Sequence, residues 1–327
     1  MTNMYSMTRE SSTSMKPIIA ISSCLLGNNV RFNGSNSNNK MLGETFSDIF
    51  SYRVICPEVF AGLGIPRKPI YLQQYNQNIL VLENDTSRDL TSTLDDACLT
   101  LVQKMKDVDG FILKKNSPSC GHKSVKVYNQ EKNAIYNKAN GRFVDTIERV
   151  IPNAVIEDEG RLNDPYLKEH FIKRVFLNAE VKSNHLNIIT INDLMNFHLR
   201  HKMLMRLHNP DKQKLLGQLI AQSNHVAIEI LKKKYFEIFV TIFEKVARKG
   251  HHVNILQRIL REINKNINTE QRQDLQIKIK QFHDEIIPLA VPVEMIKHYL
   301  IRYRIEYLLK QSYLNLYPEN LGLMSKM

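Results

Sequence analysis

Three stretches decide the fold: residues 17–27, PIIAISSCLLG; residues 51–59, SYRVICPEV; and residues 109–128, DGFILKKNSPSCGHKSVKVY. In each, a short apolar run ends in a loop of small or turn-forming residues that carries a cysteine. A run of that length bounded by Gly, Pro or Ser is the pattern of a buried β-strand feeding a loop. Residues 78–85, NILVLEND, form a further strand pattern, and residues 89–105, DLTSTLDDACLTLVQKM, follow with helical spacing and Thr or Ser placed as caps. Strands alternating with helices predict an α/β domain with a mostly parallel sheet, whose ligands bind beyond the carboxyl ends of the strands. Cys24, Cys56 and Cys120 each sit just past such an end. Three strand ends therefore bring to one rim three thiols that are far apart in sequence.

Outward from these stretches the character changes. Residues 1–15 are polar, rich in Ser, Thr and Met and aperiodic, which predicts a frayed tail. Residues 130–165 read as loop-rich, with IPNAVIEDEGRLNDP as a domain junction. Beyond it, segments such as INDLMNFHLRHKMLMRLH (191–208), HVAIEILKKKYFEIFVTIFEKVARKG (225–250) and VEMIKHYLIRYRIEYLLKQSYL (293–314) place apolar residues at i, i+3, i+4 and i+7. The predicted organisation is a tail over 1–15, an α/β domain over 16–160 and an all-α domain over 161–327.

The chain has 327 residues, 43% hydrophobic and 24% charged, enough for two ordinary globular cores. No apolar run is long enough to span a membrane and the first residues lack a signal-peptide core, so the expected compartment is the cytoplasm. Four widely spaced cysteines argue against a secreted disulfide scaffold and for free, catalytic or metal-bound thiols. The net charge of +12 is uneven: residues 1–160 carry 18 Lys+Arg against 17 Asp+Glu, and residues 161–327 carry 27 against 16, net +11. All four cysteines lie in the neutral half. Chemistry in one domain and polyanion binding in the other is the reading this split supports.

Cys98 falls on the apolar stripe of a helical segment and reads as a small core residue. The other three lie among Gly, Pro and Ser, where packing needs no thiol. Three thiolates favour zinc or an iron-sulfur cluster. A closed zinc site would need a fourth ligand, for which His122 is the nearest candidate, although no short Cys-x-x-Cys pair is present. A cubane cluster on three cysteines would leave one iron without a protein ligand. Glu58 and Ser117, in the same loops, are candidates to move protons and to orient a polar substrate edge. Arg31, Arg67 and Arg142, in Gly- or Pro-containing loops, are candidates for phosphate contact or for pairing with a carboxylate.

SSCLLGNNVRFNG, CPEVFAGLGIPRKPI and GFILKKNSPSCG, in that order and spacing, resemble the thiouracil desulfidase family over about residues 16–160. EDEGRLNDP, FHLRHKMLMRLHNP, LLGQLIAQS, NILQRILREINK, IPLAVPVEMIKHYL and QSYLNLYPENL are similar to the YbgA-type helical domain. The combination resembles the bacterial tRNA 4-thiouridine desulfidases of the RudS type. Asn33 stands before Gly34 where the family commonly has Asp, and Arg258 and Arg261 stand where it often has His and Gly.

The resemblance implies a 4Fe-4S cluster held by Cys24, Cys56 and Cys120 with one open iron site. It also implies supporting roles for Glu58 and Ser117, and non-redox removal of sulfur from 4-thiouridine in tRNA to leave uridine, a lyase or hydrolase reaction. The helical domain would then bind tRNA, with Arg200, His201, Lys202 and Arg206, Lys232, Lys233 and Lys234, Arg248 and Lys249, Arg258 and Arg261, and Arg302 and Arg304 as candidate contacts. Two alternatives stay open at this point: a desulfidase acting on free thiouracil or thionucleosides, and a non-catalytic RNA-binding protein with structural zinc.

Overall fold

A computed structural model describes residues 16–222, 226–318 and 321–327, so the predicted tail lies outside the described residues. The N-terminal half runs β1 (Ile18–Ser22), β2 (Ser51–Ile55), α1 (Pro57–Phe60), β3 (Ile70–Tyr75), β4 (Asn78–Glu83), α2 (Thr91–Gln103), β5 (Gly110–Leu113), β6 (Val125–Tyr128), β7 (Ala134–Ala139), α3 (Arg142–Val150) and β8 (Ile156–Asp158). One four-stranded sheet, in the order β2-β1-β5-β8, is parallel throughout, with Ile18 opposite Ser51 and Ile19 opposite Gly110.

Because successive side chains of a strand face opposite ways, this sheet has two apolar faces. Ala20 and Phe111 point into a core made with Leu94, Cys98 and Val102 of α2 and Phe143 and Ile147 of α3. Ile19, Ile21 and Ile112 point to the other face. That second face is covered by α4 (Pro165–Asn187), through Phe171, Ile172 and Val175. Gly110 permits the contact, since a Cβ there would lie 2.7 Å from Val175 Cγ2. Asn178 Nδ2 donates to the Asp109 carbonyl at 3.0 Å, and Lys182 Nζ donates to the Asp107 and Val108 carbonyls and pairs with Asp109. The first helix of the C-terminal region is thus also the outer layer of the α/β sheet.

Two expectations need correction. Residues 78–83 do not join the parallel sheet: β4 forms a hairpin with β3 in a second, mixed sheet of order β4-β3-β6-β7. Residues 130–165 are also not mainly loop, since they hold β7, α3 and β8. β7 is almost entirely exposed, and an edge strand open to water on both faces carries no hydrophobic alternation to read.

Helices α5 (Ile191–His208), α6 (Pro210–Ala221), α7 (Ile228–Thr241), α8 (Lys249–Ile263), α9 (Thr269–His283), α10 (Ala290–Arg302) and α11 (Glu306–Leu309) follow α4. Side-chain caps fix several starts: Asp164 accepts from Tyr166 and Leu167, while Thr190 with Asp193 and Asn268 with Gln271 form capping boxes. They pack around Phe197, Tyr235, Phe239, Ile259 and Leu300. The segment read as one helix over 225–250 breaks between α7 and α8, and that over 293–314 breaks at Arg304, whose φ is 54°. No helix among the described residues is long and apolar enough to cross a membrane.

Candidate metal centre

Cys24 lies in the single 3-10 turn that follows β1, Cys56 caps the short α1 that follows β2, and Cys120 lies in the loop after β5. Since β1 is the middle strand of these three parallel neighbours, their carboxyl ends bring the three loops together. All three cysteines line one cavity of about 330 Å³, together with Ser22, Arg31, Glu58, Arg67, Lys114 and Ser117. Cys98 is fully buried in α2 and does not line it.

The thiols respond to one another. Burial, then the neighbouring Cys56, pushes the Cys24 thiol up to about 11, against the pull of Lys114 and Arg31. Cys120 is raised well above the usual thiol range by burial, with Cys56, Glu58 and Cys24 adding to the effect and a hydrogen bond with Ser22 opposing it. Burial also raises Cys56. Three thiolates crowded in a buried rim repel each other, so a bound cation is what would hold them ionised.

Among the described residues no three His, Cys, Asp or Glu groups converge on one point as the ligands of a single ion do. His122 does not line the cavity. Its Nε2 faces Glu148 Oε1 at 3.9 Å, and burial lowers its pKa to about 4. It therefore does not supply the fourth ligand that a closed zinc site with the three thiols requires. Three soft donors around a cavity of this volume fit an iron-sulfur cluster by the chemistry of the donor set.

The Cys120 loop is held by the start of α3. The first turn of a helix has N–H groups without intrahelical partners. Here Arg142 N and Phe143 N donate to the Pro118 and Ser119 carbonyls, and Gly141 N donates to Gly121 O at 2.7 Å. Gly141 has no substitute, because a Cβ would come within 2.4 Å of the Ser119 carbonyl oxygen. Ser117 Oγ accepts from the backbone N–H groups of Ser119 and Cys120 at 3.3 and 3.2 Å, which leaves its own hydrogen to donate outward.

Glu58 is fixed on both oxygens. Oε1 accepts from Ser119 Oγ at 2.8 Å, and Oε2 accepts from Arg67 Nε at 2.8 Å. Arg67, one of the loop arginines, thus pairs with a carboxylate. Arg142 does the same with Asp95 and does not line the cavity, whereas Arg31 does line it. Ser119 escaped sequence reading because one serine of SPSC gives no sign of being turned toward a glutamate 61 positions away.

The basic candidates divide by exposure. Arg200, Arg206, Lys233, Lys234, Arg248, Arg261, Arg302 and Arg304 are exposed, and Lys202, Lys249 and Arg258 are half-buried. Arg200, Lys249 and Arg258 pair with Glu180, Glu285 and Glu262. Two expectations fail on burial. Lys232 is 3% exposed and donates to the Ile188 carbonyl and Glu229, and His201 is fully buried between Ser312 and Glu180. Reading Lys232 to Lys234 as one basic run, and His201 with its basic neighbours, passed over the spacing that puts Lys232 in step with Tyr235 and Phe236 and His201 in step with Phe197 and Leu204.

Residues 19–159 match the 2-thiouracil desulfurase family and residues 202–318 match a domain family of unknown function, DUF1722. The chain is 31% identical over 114 residues to the uncharacterized protein YbbK of Bacillus subtilis (strain 168), covering 32% of this chain and 73% of YbbK. The chain belongs to the 2-thiouracil desulfurase family. Its helical region is similar to another protein: over 151 residues the chain is 24% identical to the uncharacterized protein YbgA of Escherichia coli (strain K12), covering 46% of this chain and 89% of YbgA. Among solved structures, a 4Fe-4S-dependent thiouracil desulfidase, TudS, aligns with 45% of this chain and 94% of its own at 24% identity and a TM-score of 0.37.

Proposed function

We propose that this protein is an iron-sulfur desulfidase that removes sulfur from 4-thiouridine in tRNA, with the helical domain binding the RNA. The observation that carries the reading is the meeting of Cys24, Cys56 and Cys120 with Glu58 and Ser117 around one cavity, at the carboxyl ends of three adjacent parallel strands. Cys24, Cys56 and Cys120 would hold a 4Fe-4S cluster, which when bound supplies a Lewis-acidic iron open to a soft sulfur atom.

The chain's own groups supply the rest. Glu58, fixed by Arg67 and Ser119, keeps a lone pair for a water molecule and accepts its proton as the oxygen attacks the thiocarbonyl carbon. Ser117, whose acceptor capacity the backbone has filled, donates its hydrogen to a polar edge of the pyrimidine. The balance is that of a hydrolysis: C=S and water give C=O and hydrogen sulfide, with no net electron transfer.

The substrate is assigned to tRNA on charge. A free base offers no phosphate, whereas residues 161–327 carry the +11 excess, with Arg206, Lys233, Lys234, Arg248, Arg261 and Arg302 exposed. A thiolated base within a helix must leave its stack at about a few kcal/mol, which phosphate contacts elsewhere offset. The test is anaerobic reconstitution with iron and sulfide, addition of tRNA containing 4-thiouridine, and measurement of the loss of that base's near-ultraviolet absorbance. Loss that depends on reconstitution is expected. An intact cluster that acts on free thiouracil and leaves tRNA unchanged would transfer the activity to free thiobases.

A further inference from the structure

The cysteine loops are joined by more than their cysteines. Arg67, nine residues beyond Glu58, spreads its donors over two of them. Its Nε and Nη2 meet Glu58 Oε2 at 2.8 and 2.7 Å, Nη1 donates to the Gly64 carbonyl at 3.0 Å, and Nη2 also reaches the Val30 carbonyl at 3.0 Å. The Arg67 backbone N–H donates to the Phe32 carbonyl at 2.8 Å. Val30 and Phe32 belong to the segment that leaves Cys24, and Glu58 follows Cys56. The other oxygen of Glu58 accepts from Ser119, the residue before Cys120, and the Ser119 carbonyl is tied to the start of α3 through Phe143 N.

The chain therefore runs from the Cys24 loop through Arg67 and Glu58 to the Cys120 loop and the helix behind it. We propose that Arg67 and Ser119 are positioning residues that, through Glu58, lock the three cysteine loops into one register before any cofactor is bound.

Energetics favour this over a stabilising role alone. The Arg67 and Glu58 side chains are only 9% and 13% exposed, and a pair buried that far gives back in desolvation much of what it gains in attraction. What such a pair does well is fix geometry, because a guanidinium is a planar fork that one ammonium cannot replace. Ser119 is wholly buried, so neither solvent nor substrate reaches it and its hydroxyl is committed to Glu58. The inference deepens the desulfidase reading, but its first measurement requires neither cluster nor substrate.

That measurement is hydrogen exchange of the cofactor-free protein as wild type, Ser119→Ala and Arg67→Lys, with circular dichroism as a check on folding. Each variant is expected to speed exchange about tenfold or more in all three loops, including those that do not hold the substitution, as loss of one charge-assisted hydrogen bond implies. After anaerobic reconstitution, loss of iron to a chelator should accelerate in both variants, and Ser119→Thr, which restores the hydroxyl, should slow it again.

Faster exchange confined to the substituted loop, with iron retained as in wild type, would overturn the proposal. Should Ser119→Ala fail to fold, Arg67→Lys, which keeps the alkyl stem, decides alone. If the exchange pattern spreads as expected yet the wild type takes up no iron, the register lock stands and the desulfidase assignment fails.

Discussion

Cutting the chain at residue 165, just beyond the predicted boundary at 160/161, should destroy the α/β domain, while cutting after residue 188 should leave much of it folded. The reason is α4. Phe171, Ile172 and Val175 are buried against Ile19, Ile21 and Ile112, and removing α4 leaves only the 42–50 segment, through Leu42, Phe46, Ile49 and Phe50, with Leu25 and Leu162, to cover that core. Fully burying one such side chain is worth about 1.5–3 kcal/mol, so the three together contribute about 5–9 kcal/mol. That is comparable with the whole stability of about 5–15 kcal/mol expected of a domain. Losing Lys182 adds to the damage, because Asp109, 5% exposed, and the Asp107 and Val108 carbonyls then lose the ammonium that donates to them. The assay compares fragments 16–165 and 16–188 by circular dichroism and urea titration. The shorter should be unfolded or molten and the longer should unfold cooperatively, though less stably than the full chain, since Leu321 and Leu323 also pack on this core. Equal midpoints for the two fragments would refute the reasoning.

Replacing Cys24, Cys56 or Cys120 by Ala should abolish iron-sulfur absorbance after reconstitution, whereas Cys98→Ala should keep it; iron lost only on Cys98→Ala would mean a different ligand set. Glu58→Ala should retain the absorbance and lose about 100-fold or more in turnover of thiolated substrate, the usual contribution of a general base. Arg206→Glu and Lys233→Glu should weaken tRNA binding and flatten its salt dependence, while Lys232→Glu should lower thermal stability instead, because that ammonium is buried against a carbonyl. Acid should unfold the helical region early. Burial holds His170 at about 3, His198 at about 4 and His252 at about 3, so the folded state refuses protons that the unfolded chain accepts below about pH 6.5. The stability is full above that pH and falls by about 1.4 kcal/mol per pH unit for each histidine as pH drops toward those values; urea midpoints unchanged between about pH 7 and 5 would contradict this.

Much of the architecture is legible in the residues themselves. IIAIS and GFIL are short apolar runs that only a strand buried on both faces can use, the first running into Ser23 and the second into the polar Lys114, Lys115 and Asn116. The helical starts at Asp164-Pro165 and Thr190 are written in capping chemistry. Helix α9 is harder to read: QRQDLQIKIKQ alternates apolar and charged residues like an exposed strand, and only Leu275, Ile279 and Phe282 at helical spacing face the core. β7 shows no pattern because neither of its faces is buried.

The sequence by itself separated Cys98, on the apolar stripe of a helix, from Cys24, Cys56 and Cys120 in strand-end loops, and the last three are the ones that line one cavity. It also determined that the excess positive charge belongs to the second half, because charge is additive and needs no coordinates. Only the tertiary structure decided which of those charges are already paired at long range, as Lys249 meets Glu285, 36 positions on, through the packing of the helices and not through spacing along the chain. The partners of Glu58 are of the same kind. Ser119 and Arg67 reach it from separate loops, and which donor meets which carboxylate is fixed by the order of the parallel strands and not by spacing along the chain.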